Sequence, residues 1–179
     1  MVRLLGWGVV ASLAAGPFAA RDIFVAWPVK LASALKGARG GDIVTLKNGE
    51  WTDAKFVINQ GGRAGKPIET RAETPGGVKL GGWSSLEINA PYVTIDGLLF
   101  QGGATTQSAV IQFNSHHGIV RNTAISDYNP APFANECYWG FFAGDDNLVE
   151  RCYFKGKNHQ HPLIGNAIED SRRNTVRGS

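Results

Sequence analysis

The chain has 179 residues, a normal size for one domain with one core, and a formal net charge of +3 from 18 Lys and Arg against 15 Asp and Glu. It carries no block of Lys and Arg of the kind that tracks a phosphate backbone, which argues against nucleic acid as a partner but leaves local contact with an acidic polymer open. Two cysteines are too few for a disulfide scaffold or a zinc site, and 23 glycines fit a fold with many tight turns.

The first segment reads as an export signal over residues 1–20. Met1-Val2-Arg3 is a short basic lead, and an uncharged, mostly apolar run extends from Leu4 to Ala15. Small residues at Ala14, Ala15, Ala19 and Ala20 precede the charged pair Arg21-Asp22. The run is too short and too Gly-rich for a membrane span. A buried N-terminal helix is the alternative. Cleavage near Ala20 would leave residues 21–179 as a periplasmic or secreted domain with no membrane contact.

Next comes a segment that reads as a cap. Leu31, Ala34, Leu35 and Ala38 recur at helical spacing after Pro28, and Gly40-Gly41 ends the helix. A strand follows over Asp42 to Leu46, with Asn48-Gly49 as its turn, and a loop from Gly61 to Pro67 leads to a second strand from Ile68 to Arg71. Pro75-Gly76-Gly77 and Gly81-Gly82 mark corners before Tyr92.

From Tyr92 onward the chain repeats. Val93-Thr94-Ile95-Asp96, Gly118-Ile119-Val120-Arg121, Asn147-Leu148-Val149-Glu150 and Thr175-Val176-Arg177 align, with steps of 25, 29 and 27 residues between Ile95, Val120, Val149 and Val176. A β-rich unit of that length cannot bury its apolar face alone and must stack on its neighbours. The alternating β-branched and aromatic residues, separated by Gly, Asn and Asp, predict an all-β, right-handed parallel β-helix, with the helix near residue 30 covering its open end. A second strand keeps the same register, because Phe113 precedes Val120 by the interval that separates Phe142 from Val149. Asn129 and Asn158 fall one step apart and are candidates for a stacked amide ladder, against two ordinary loop asparagines.

The remaining polar and aromatic features have plain readings beside their functional ones. Cys137 and Cys152 lie in strand patterns and read as two buried thiols, with a pairing left open. Asp145-Asp146 reads as a solvated turn rather than a calcium site, and His116-His117 as surface. Trp139 sits in a strand pattern and reads as core; Trp51 and Trp83 are candidates for stacking on sugar rings.

The segments from Pro91 to Phe100, from Arg121 to Pro130 and from Asn147 to Asn158 resemble polysaccharide lyase family 6, the alginate lyase and chondroitinase B group. Asp127-Tyr128-Asn129-Pro130 and Cys152-Tyr153-Phe154-Lys155-Gly156-Lys157 are the most telling blocks, and the likeness covers about residues 30 to 179. It implies a lyase that removes the proton beside a uronate carboxylate and expels the linked sugar by β-elimination. Alginate would be the first substrate and chondroitin or dermatan the second. Family members use calcium, held by carboxylates and an amide, with a lysine and an arginine as base and acid. Nothing in residues 1–179 matches that catalytic pair or the acidic metal motif. The chain therefore reads as the N-terminal portion of a lyase, with those groups expected beyond Ser179. The residues present that suit contact with an acidic sugar are Lys155, Lys157, Asn158, His159 and His161, against a basic surface loop with no ligand. A non-catalytic carbohydrate-binding β-helix is the competing class. A pectin-active β-helix fits the architecture but not these blocks.

Overall fold

The computed structural model describes residues 19–130, 137–158, 160–167, 169 and 171–179. The export signal predicted over residues 1–20 therefore lies almost wholly outside the described residues.

The described chain winds as a right-handed parallel β-helix of about five turns, as the repeats predicted. It opens with β1 (Asp22–Val25) and the only α-helix among the described residues, α1 (Pro28–Gly37). The first coil is β2 (Ile43–Leu46), β3 (Gly49–Thr52) and β4 (Lys55–Ile58). The second is β5 (Ile68–Ala72), β6 (Val78–Gly82) and β7 (Ser85–Ile88). The third is β8 (Val93–Asp96), β9 (Leu98–Gly103) and β10 (Ala109–Phe113). The fourth is β11 (Ile119–Arg121), β12 (Ala124–Ser126) and β13 (Tyr138–Phe142). The fifth is β14 (Leu148–Glu150), β15 (Tyr153–Lys155) and β16 (Ile164–Asn166), and β17 (Thr175–Arg177) follows. Successive coils stack into sheet A (β1, β2, β5, β8, β11, β14, β17), sheet B (β3, β6, β9, β12, β15) and sheet C (β4, β7, β10, β13, β16).

Ile95, Val120, Val149 and Val176 are direct register partners along sheet A, and Phe113 pairs with Phe142 in sheet C. The column also runs the other way, through Thr70 and Val44. The segment expected to be a cap is thus two full coils, and only α1 and β1 precede them. Asn48-Gly49 does not make a hairpin: Gly49 opens β3, which pairs in parallel with β6. The only antiparallel pairing among the described residues is a single bridge between Arg63 and Lys66. Leu31 and Leu35 of α1 are buried and belong to the same core cluster as Val25 of β1 and Phe56 of β4, so the helix covers the first coil as predicted.

Inward positions of the three sheets form one apolar column each, including Leu80, Phe100 and Ile125 in sheet B and Ile88, Phe113 and Phe142 in sheet C. Trp139 is buried in this core, as expected, and so is Trp51, whose indole donates to the Lys47 carbonyl at 3.0 Å. Both cysteines are unpaired and buried.

Three corners turn the chain between sheets, each by a residue in the left-handed region. Gly97, Asn122, Arg151 and Gly178 make the first column, Asp53, Gly82, Gly102, Asp127 and Gly156 the second, and Tyr92, His117, Asp146 and Arg173 the third. Every described non-glycine residue with positive φ sits at one of these corners. Stacking lends such residues support that an isolated turn lacks.

Candidate functional site

Three of the sequence-predicted contact residues, Lys155, Lys157 and Asn158, lie at the second corner of the last two coils. Ser126 of β12 pairs with Lys155 of β15, so Asp127 and Gly156 stack as the corner residues that follow. Gly156 has φ 77°, and a Cβ there would run into the Asp127 carboxylate, so any larger residue would have to displace that side chain. Ser126 Oγ donates to Asp127 Oδ2 at 2.9 Å, which orients that carboxylate.

Beyond the corner, Asn129 and Asn158 do lie above one another, but not as a side-chain ladder. Asn129 Nδ2 donates to the Gly156 carbonyl at 2.8 Å, and its Oδ1 accepts the Asn158 backbone N–H at 3.2 Å. Asn129 thus clamps the backbone of the next coil. A side-chain amide ladder exists elsewhere: Asn114 donates to Asn89 at 2.7 Å, and Asn89 donates to Asn59 at 2.9 Å. The recurrence of Asn directly after the first three strands of sheet C, β4, β7 and β10, was its sequence signal.

The loop is pinned from below by Tyr128. Its hydroxyl lies 2.9 Å from the Gly82 carbonyl and 2.8 Å from that of Ser84, and its own carbonyl accepts the Trp139 indole N–H at 2.8 Å. Burial pushes the phenol up to about 12, so it stays protonated and donating at neutral pH.

The lysines separate around the corner. Lys155 ends β15 on the outer face of sheet B, exposed, two residues from Tyr153, which is 58% exposed on the same face. Lys157 lies past the corner and is half-buried; that burial lowers its ammonium below the ordinary lysine range, with Cys137 as its nearby titrating group. Burial likewise raises the Cys137 thiol. A lysine whose charged form is disfavoured is a better base, which gives Lys157 that potential. His161 packs edge-on against the Tyr138 ring with centroids 5.3 Å apart, on the side of sheet C. Asn158 is exposed at the rim, and His159 lies outside the described residues.

The other polar candidates belong to the third corner. Arg173 Nε donates to Asp146 at 2.6 Å and an Nη of Arg173 lies 3.3 Å from Asp145, so the acidic pair is engaged in ion pairs, and Arg173 holds the Asp146 carboxyl below the usual range. His117 stacks on Tyr92 at 4.6 Å. Trp83 remains 53% exposed at a turn. Among the described residues no group of three or more His, Cys, Asp or Glu is placed to hold a metal ion.

A model of the chondroitinase B family matches residues 25–174. Among solved structures, a PL6-family polysaccharide lyase from Pseudopedobacter saltans superposes with a TM-score of 0.83 at 43% identity, covering 86% of this chain and 36% of that one. The PL6-family alginate lyase AlyGC gives a TM-score of 0.79 at 30% identity over 83% of this chain and 21% of that one. A mannuronic acid specific family 6 lyase from human gut microbiota shares the fold, with a TM-score of 0.73 at 23% identity. The chain thus spans about a third or less of the length of these lyases. A search of curated protein sequences found no match.

Proposed function

Because this chain belongs to polysaccharide lyase family 6, the group of chondroitinase B and the alginate lyases, we propose that its protein cleaves an anionic uronate polymer by β-elimination, alginate before chondroitin or dermatan. The observation that carries this reading is the family match across residues 25–174 together with 43% identity to a solved lyase of the family. The alginate preference rests on the 30% identity to an alginate lyase.

The chemistry sets the demands. Taking the proton beside a carboxylate puts negative charge on that carboxylate, and a base must receive the proton while an acid meets the leaving oxygen. In this chain the second corner offers donors beside one carboxylate, that of Asp127. Lys155 and the Asn158 amide suit a uronate carboxylate, and Lys157, its charged form disfavoured by burial, suits proton abstraction. Calcium, expected from the family, finds no matching acidic ligand set among the described residues. We also place the protein outside the cytoplasm, in the periplasm or secreted. Support comes from the basic-then-apolar leader that precedes the charged pair Arg21-Asp22.

The test is ultraviolet absorbance of the conjugated unsaturated uronate formed from alginate, with chondroitin and dermatan sulfate run in parallel. A steady rise on alginate, lost in Lys157→Ala, supports the lyase reading with its base in this chain. The second reading is a carbohydrate-binding β-helix without chemistry. It predicts a flat trace with saccharide binding retained.

A further inference from the structure

A groove far from the second corner lies between α1 and the outer face of sheet C. It has a volume of about 440 Å³ and is lined by Ala32, Lys36, Lys55, Val57, Asn59 and Gln60, within the size range of ligand-binding clefts. Val57 is 40% exposed at its floor. The lining contains no carboxylate; Glu87, in register with Val57 on β7, lies beside the groove without lining it. The side-chain ammonium groups of Lys36 and Lys55 have no ion-pair or hydrogen-bond partner among the described residues. Two unpaired ammonium groups thus share one concave surface.

The amide ladder ends in this groove, and it is polarised. Asn114 Nδ2 donates to Asn89 Oδ1, and Asn89 Nδ2 donates to Asn59 Oδ1. Each amide spends its donor on the coil before it, which leaves the Asn59 NH₂ as the terminal donor, without an acceptor among the described residues. A chain of amides aligned this way strengthens donation at its end. The groove therefore collects two cations, a terminal amide donor and the Gln60 amide above an apolar floor. That combination fits a ligand with a carboxylate, hydroxyls and a C–H face.

We propose that this groove binds a short stretch of an anionic uronate saccharide, its carboxylate between Lys36 and Lys55, a hydroxyl on the Asn59 amide and a sugar face on Val57. The inference deepens the proposed function and rests on it. The groove belongs to the first coil and the Lys157 corner to the fifth. Four inter-strand spacings separate them, roughly 19 Å along the solenoid, so the groove is a separate site that a longer chain could occupy together with the corner.

The test follows proton–nitrogen correlation spectra of the chain during titration with an oligouronate prepared from alginate, a neutral cello-oligosaccharide of equal length, and sodium sulfate. The oligouronate is expected to move the Asn59 side-chain NH₂ and the Val57 amide. In Lys36→Ala/Lys55→Ala those shifts should require about tenfold more ligand, while Lys155→Ala/Lys157→Ala leaves them in place. Both double variants change exposed or half-buried surface positions, and circular dichroism checks their folding. Equal shifts with sulfate or with the neutral sugar at the same concentration would overturn recognition of a uronate. Shifts confined to the Lys155–Asn158 corner would overturn the groove and leave the lyase reading standing. No response to oligouronate anywhere would overturn both.

Discussion

Arg121 Nε donates to Asp96 Oδ2 at 2.6 Å across two neighbouring coils, and the same guanidinium reaches Glu69, two coils back, at 3.3 Å. The pair belongs to a longer column on the outer face of sheet A. Arg71, Asp96, Arg121, Glu150 and Arg177 are successive register partners, alternating in sign. Arg177 closes on Glu150 at 2.8 Å. Like charges stacked directly would destabilise a parallel sheet; alternation turns the same positions into support and fixes the register.

Arg121→Ala leaves the half-buried Asp96 and Glu69 carboxylates without their shared cation. The expected loss is about 1–2 kcal/mol of unfolding free energy, read from the urea midpoint at constant slope. Arg121→Leu should behave like Ala. An unchanged midpoint in both would mean that the column contributes nothing to stability.

Thr70 is fully buried in the inward column of sheet A, and its Oγ1 is the only buried side-chain polar atom without a hydrogen-bond partner among the described residues. Its neighbours in register are Val44 and Ile95. Thr70→Val keeps the shape and removes the stranded hydroxyl, so it should raise stability by about 1 kcal/mol. A thermal unfolding scan showing a lower midpoint for the valine variant would contradict this.

Asp42 is 3% exposed and ties the start of the domain together. The Arg21 backbone N–H donates to its Oδ1 at 3.0 Å, and the Arg39 backbone N–H to its Oδ2 at 2.9 Å. The Arg21 guanidinium, hydrogen-bonded to it, lowers the carboxyl to about 2 from an ordinary value of 3.8. A depressed folded-state value means that the stabilisation is complete above the unfolded value and disappears as pH falls through the folded one. The contribution is about 1–2 kcal/mol after allowing for the half-exposed arginine. Stability measured from pH 5 down to pH 2 should therefore fall less steeply in Arg21→Ala than in the parent chain, and the two curves should converge at the acid end.

Gly156→Ala should disturb the second corner at its tightest point, because the new Cβ meets Asp127 and the residue must hold φ 77°. Oligouronate affinity at the Lys155–Asn158 corner is expected to fall several-fold, with stability lowered by about 1–2 kcal/mol. Gly76→Ala is the control, since its φ of 76° brings the same backbone strain with open space around the Cβ. Equal losses of affinity in both variants would assign the effect to general destabilisation.

Repeat spacing made the third to fifth coils legible because Ile95, Val120 and Val149 all present an apolar residue at one inward position. The first two coils were hidden because Thr70 occupies that position in the second, and because Pro75-Gly76-Gly77 and Gly81-Gly82 look like linker when their neighbours in the stack are not known. The contact residues were only partly legible. Lys155 and Lys157 are two residues apart, a spacing that strand alternation alone would keep on one face. But β15 ends at Lys155 and the left-handed Gly156 turns the chain between them, leaving one exposed and one half-buried. The Lys36–Lys55 groove left no local signal, since its two cations come from a helix and from a strand of the first coil.

By itself the sequence determined the period, the alternation of inward and outward residues, and the family likeness carried by Asp127 to Pro130 and Cys152 to Lys157. These follow from local pattern, which a single chain displays. Only the tertiary structure decided which asparagines form a ladder and which charges alternate down sheet A. Each of those depends on contacts between residues roughly 25–30 positions apart, and stacking register, not chain order, sets which groups meet.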